Sequence, residues 1–131
     1  MSRVLLDTSA LLYWTLQPDA LPARARQVIA AAARDAVVVS AISLWEVGLK
    51  VRRGALDLGV PFDDYVARLR RVDRLTLLPV DVPVWLRVVA LPWEHRDPAD
   101  RVIVATAEVL GIPLVTSDST IRQYRPDAIW A

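Results

Sequence analysis

Cysteine is absent from the 131 residues, which excludes disulfides and any thiolate-held zinc or iron–sulfur centre. Histidine is nearly absent, with His95 the only imidazole. A metal site in this chain must therefore be built mainly from carboxylate oxygens, which suit hard cations such as magnesium or manganese. Lysine is also scarce: 15 of the 16 basic residues are arginine, and Lys50 is the exception. Although 54% of the residues are hydrophobic, no uninterrupted apolar run approaches the roughly 18 residues a spanning helix needs. No charged leader, long apolar segment and small-residue cleavage site follow in order from Met1-Ser2-Arg3. The expectation is a soluble cytoplasmic protein with no membrane partner.

The charge that is present nearly cancels, at a net +1, but it is unevenly placed. Arg68, Arg70, Arg71 and Arg74 cluster, and Arg52 and Arg53 form a second pair. Guanidinium groups suit bidentate phosphate recognition, and a solvated helix face is an equal reading of the same clusters.

The length predicts one domain over residues 1–131 with one core, and no repeat or linker argues for a second. Runs rich in Val, Ile and Leu alternate with segments of helical period, the pattern of a parallel sheet covered by helices, so the fold class is α/β. Strands are expected at Arg3–Leu6, Ala36–Val39, Leu75–Val80 and Pro113–Thr116, with a last turn and a short strand near Ile129. Helices are expected at Thr8–Leu16, Pro22–Arg34, from the cap Ser40 to about Arg53, from Pro61 past Leu69, at Val82–Ala90, and from Pro98 to Leu110 with Gly111 as its stop.

The acids fall in a pattern. Asp7 follows the first strand and Asp118 follows the fourth, so both lie at carboxyl ends of strands, the edge where open α/β sheets bind ligands. Asp97 and Asp100, in HRDPADR, share one helical face at a helix start. Glu46, in SAISLWEVGLK, sits about two turns into the helix after the second strand. Carboxylates converging on one cleft repel unless a cation neutralises them. Each also has a structural reading: Asp7 and Asp97 as helix caps, Asp100 beside a positive helix end, Asp118 as a turn starter, Glu46 as the partner of Lys50.

Four segments, LLDTSALL, SAISLWEVGLKVRRG, LPWEHRDPADRVIVATA and LVTSDS, resemble the PIN-domain ribonucleases, in particular VapC-type toxins, in that family's order and approximate spacing. The resemblance covers essentially the whole chain. It implies a PIN-like three-layer α/β fold, a central parallel sheet flanked by helices, in which the first and fourth strands are neighbours. The family's acidic positions match Asp7, Glu46, Asp100 and Asp118, with Asp97 an additional acid of the DPxDR run. The implied activity is Mg2+-dependent hydrolysis of RNA phosphodiesters, with Mn2+ a possible substitute. Asp7, Asp100 and Asp118 would be the metal ligands, Glu46 would complete the shell or orient the attacking water, and Asp97, Thr8 and Ser117 would support them. Thr8, Ser9, Thr116 and Ser117 are small polar residues at the same edge, able to hydrogen-bond phosphate or metal waters, with simple capping as their other reading. A homodimer neutralised by a cognate antitoxin protein is the implied assembly.

His95, alone in a loop, reads as a hydrogen-bonding or packing residue before a general base. Of the five tryptophans, Trp93 beside the site is the expected base-stacking candidate. A receiver domain would need a late phosphate-contacting lysine, and a haloacid-dehalogenase phosphatase an aspartate where Ser9 stands. The rival that remains is a PIN scaffold that binds RNA or protein without cutting.

Overall fold

The protein is described by a computed structural model covering residues 3–131. Met1 and Ser2, the first residues of the leader reading, lie outside the described residues. Four parallel strands, β1 (Val4–Leu6), β2 (Val37–Ser40), β3 (Leu75–Leu78) and β4 (Leu114–Val115), form one sheet in the order β3-β2-β1-β4. In register, Val4 faces Val37 and Leu5 faces Leu114. The strands are short and almost wholly apolar because both faces of the sheet are covered.

Successive strand residues point to opposite faces, and two cores result. Val4, Leu6, Val37 and Val39 pack against α1 (Thr8–Leu16), α2 (Ala23–Ala31), α3 (Ala41–Arg52) and α4 (Phe62–Leu69) through residues such as Leu11, Ile29, Val47 and Tyr65. Leu5, Val38 and Leu114 pack against α5 (Val82–Ala90), α6 (Pro98–Leu110) and α7 (Ser119–Tyr124) through Val84, Val102, Ile103 and Ile121. The fold is thus the expected three-layer α/β arrangement, with β1 beside β4.

Local chemistry sets most boundaries. Ser40 caps α3 by accepting from the Ile42 amide at 3.2 Å, and Asp81 caps α5 by accepting from the Val84 amide at 3.2 Å with Pro83 inside the first turn. Gly111, at φ 64°, ends α6 in the left-handed region that a side chain would strain.

The third and fourth strands are shorter than expected, ending at Leu78 and Val115, and two further elements differ. The second helix ends at Ala31 rather than Arg34, because the Arg74 guanidinium donates to the carbonyls of Ile29 and Ala32, closing the helix from a distant part of the chain. The last turn is a helix, α7, capped by Asp118, and Ile129 makes a single bridge to Val115 instead of a strand.

Chain connections leave β1 toward β2 on one side while β4 joins it on the other. A topological switch of this kind opens a crevice at the carboxyl ends of the strands.

Candidate active site

Asp7 stands at that crevice because β1 ends one residue before it, and it is only 3% exposed. One of its carboxylate oxygens accepts from the Ala10 amide at 2.8 Å and the Ser9 hydroxyl at 2.7 Å. The other accepts from the Thr116 hydroxyl just beyond β4. Asp7 therefore caps α1 while standing at the crevice with the other acids; the capping reading of the residue does not exclude the other. Burial is the main cause that pushes its pKa up to about 6, with the charge of Asp100 adding to it and the three hydrogen bonds opposing it.

Asp118 is tied to the same network. Its amide donates to the Thr116 hydroxyl at 2.9 Å, and its carboxylate caps α7 by accepting from the Thr120 and Ile121 amides. The Ser117 amide donates to Ser9 at 3.1 Å. Threonine and serine hydroxyls thus stitch the ends of β1 and β4 together. Thr8 is turned elsewhere, donating to Ser43 of α3 at 2.9 Å.

Across the crevice, the start of α6 presents Asp97 and Asp100. Asp97 is the N-cap, accepting from the Asp100 amide at 2.9 Å, and Pro98 takes the first helical position as expected. One oxygen each from Glu46, Asp97 and Asp100 lie within 4.8 Å of one another. Asp100 is also pushed up to about 6, first by burial and then by the charges of Asp97, Asp118 and Glu46, against a hydrogen bond from His95. Asp100 is therefore the acid that feels all four others, since it also raises Asp7. Glu46 forms no ion pair with Lys50 among the described residues.

The donor set fits a hard divalent cation. It is all oxygen, it gathers three carboxylates, and opposed ligands of one Mg2+ shell lie about 4.1 Å apart, so the 4.8 Å group needs only a small contraction. This compact trio shares Asp100 with the trio expected from the sequence, Asp7, Asp100 and Asp118, and adds Glu46 and Asp97 to it.

His95 Nε2 lies 2.7 Å from Asp100 Oδ2, and its ring lies 4.7 Å from that of Trp93. Trp93 also stacks on Tyr124 at 4.7 Å and 12°, so its ring is already engaged within the protein. The loop carrying both is held by Arg101, whose guanidinium donates to the carbonyls of Val88, Leu91, Trp93 and His95. Sequence reasoning missed Arg101, and it gave Thr116 no bond to Asp7. A charged residue on the otherwise apolar run after DPAD was the only available sign of the first.

The family model described as PIN domain matches residues 4–125. Ribonuclease VapC22 of Mycobacterium tuberculosis is 33% identical over 134 residues, covering 99% of this chain and 100% of the relative. Among solved structures, FitAcB from Neisseria gonorrhoeae matches with a TM-score of 0.66 at 23% identity, covering 98% of this chain and 96% of that one. M. tuberculosis VapC20, described as a Sarcin-Ricin loop cleaving toxin, gives 0.64 at 20% identity over 92% and 94% of the two chains. DNA-bound VapBC from Salmonella typhimurium gives 0.68 at 19% identity over 98% and 96%. At these identities the solved structures show the shared fold, and several are toxin–antitoxin complexes.

Proposed function

The chain belongs to the PIN domain family, and from that premise we propose that it is a metal-dependent endoribonuclease, the toxin of a toxin–antitoxin pair, acting in the cytoplasm as one PIN domain. The observation that carries the reading is the acid cluster centred on Asp100, with Glu46 and Asp97 within 4.8 Å and Asp7 and Asp118 close enough to raise or be raised by it. Like charges brought this close, with Asp7 and Asp100 also buried, are costly unless they serve a cation.

Glu46, Asp97 and Asp100 would hold Mg2+, or Mn2+ in its place, with Asp7 and Asp118 completing the site directly or through water. When bound, such an ion polarises the phosphodiester, lowers the pKa of water and stabilises the leaving oxygen. The chain's own residues do the rest. Thr116, Ser9 and the Ala10 amide fix both oxygens of Asp7, so the carboxylate meets its ligand already oriented. His95 fixes Asp100 in the same way. Glu46, half-buried and outside every ion pair among the described residues, would orient the attacking water with whichever oxygen is not given to the cation. As the water oxygen bonds to phosphorus the bond to the leaving ribose oxygen breaks, the water's proton passes to a carboxylate of the cluster, and the leaving oxygen takes a proton from solvent.

The proposed assembly is a homodimer bound by an antitoxin. Four of the six exposed large hydrophobics, Val82, Trp85, Leu86 and Val89, lie on α5, and concentrated apolar surface of this kind marks interfaces. No helix among the described residues is long and apolar enough to cross a membrane.

The test is cleavage of total RNA by pure protein with the cut ends mapped. Defined cut positions that vanish in Asp100→Asn are expected. RNA binding without any cleavage would favour the non-cutting scaffold.

A further inference from the structure

Beside the acids, on the outer side of α3, lies a cavity of about 280 Å³. Trp45 and Lys50 of α3 and Arg53 just after it line it together with Pro98 at the start of α6, and Glu46 and Asp97 belong both to its lining and to the compact acid group. Whatever occupies this cavity therefore touches the reaction centre.

Its lining has three properties that point to one ligand. Trp45 is 50% exposed, and it is the only tryptophan on this cavity. Lys50 and Arg53 are exposed and join no ion pair among the described residues, so both cations are available. The size is compatible: a space of about 280 Å³ has room for a single flat ring. Lys50 further lies on the rim of a second cavity, of about 580 Å³, that reaches Ser9, the residue donating to Asp7. One cation thus lines both hollows, one of which holds Glu46 and Asp97 and the other Ser9.

We propose that the Trp45 cavity is a subsite for one unpaired nucleotide next to the scissile phosphate, its base stacked on the indole and its backbone phosphate held by Lys50 and Arg53. The proposal rests on the ribonuclease reading and adds to it the side chains that would receive one unpaired base and its phosphate, Trp45, Lys50 and Arg53. A base inside a duplex offers no face to a side chain, whereas aromatic stacking serves every unpaired base. A protein partner would have little use for two uncompensated cations set beside carboxylates. A phosphate chain led toward a cation held by those carboxylates needs them.

The experiment uses the full chain carrying Asp7→Asn, which keeps a capping residue, removes one acid outside this cavity and blocks turnover. Anisotropy of a short fluorescein-labelled single-stranded RNA of mixed sequence, with Mg2+ present, reads affinity against salt. Trp45→Ala is expected to weaken binding about tenfold, within the range of one base–aromatic stack, while Trp45→Phe keeps most of the affinity. Lys50→Gln with Arg53→Gln is expected to flatten the salt dependence by about 0.7 in log–log slope for each phosphate no longer neutralised. A duplex of the same sequence should bind equally to the parent and to Trp45→Ala. Unchanged single-strand affinity in Trp45→Ala overturns the subsite and leaves the nuclease reading standing. The same holds if that variant changes oligomeric state instead, which would assign the face to a protein. An Asp7→Asn chain that binds no RNA, together with a wild-type chain that cuts none, overturns both.

Discussion

At the scale of single residues, one side chain serves both fold and site, and substitutions separate the two duties. Asp97 caps α6 and also lends an oxygen to the compact acid group. Asp97→Ala should therefore lower stability by about 1 kcal/mol, the usual cost of removing a cap, and weaken metal-dependent cleavage. Asp100→Asn removes a charge that four other acids oppose, so it should abolish cleavage while keeping or raising the thermal midpoint above pH 6. Melting curves and cleavage assays on the two variants check both. A fully active Asp100→Asn would remove Asp100 from the centre. The pH dependence has a definite sign. Asp7 and Asp100 are raised from 3.8 to about 6 in the folded chain, so between those values the folded state holds more protons than the unfolded one. Stability of the metal-free protein should fall as pH rises through that window. With Mg2+ present the charged forms have a partner, and the fall should largely disappear. Equal pH profiles with and without Mg2+ would contradict this. Asp7, Asp97, Asp100 and Asp118 were legible in the sequence because strand ends and helix starts are readable from local patterns, whereas Glu46, inside α3, stood out by the family resemblance. The bond from Thr116 to Asp7 was not, since it joins residues 109 apart.

At the scale of elements, the start of α6 and the loop before it act as one unit, with Arg101 as its fastener. Its guanidinium bonds four carbonyls between Val88 and His95, and so holds His95 against Asp100 and Trp93 against Tyr124. Arg101→Ala should cost about 3 kcal/mol, since hydrogen bonds to a charged group are worth roughly 1.5–3 kcal/mol and their loss leaves carbonyls unpaired. Activity should fall as well. Arg101→Lys should recover only part of either, because an ammonium cannot reproduce the planar fork. Chemical denaturation with a cleavage assay measures both effects, and an Arg101→Ala protein of unchanged stability would refute the role. Most element boundaries were readable: Ser40, Asp97, Pro98 and Gly111 act where they stand. The end of α2 was not readable, because Arg74 sets it from another part of the chain. Trp93 was read as a base platform from its place in the loop, yet Tyr124 already occupies it, a pairing that only the packed structure reveals.

At the scale of the whole molecule, the order of the strands does what no single segment does. Placing β1 between β2 and β4 gathers acids from four separate stretches of chain into one crevice. The α/β class was evident from alternating periods, but the neighbours β1 and β4 were implied only by the family resemblance. The apolar stripe on α5, where Leu86 is 69% and Val89 84% exposed, is the surface the proposed homodimer would bury. Light scattering at micromolar concentration should give a dimer, and Leu86→Glu should shift it toward monomer without unfolding it. A wild-type monomer would contradict this. The central claim is that the convergent acids form a metal-dependent nuclease centre, and the most direct test is cleavage of total RNA by pure protein in Mg2+, in EDTA, and after Mg2+ is restored. Cleavage in the first and third conditions alone is the predicted result. Undiminished cleavage in EDTA would contradict the account.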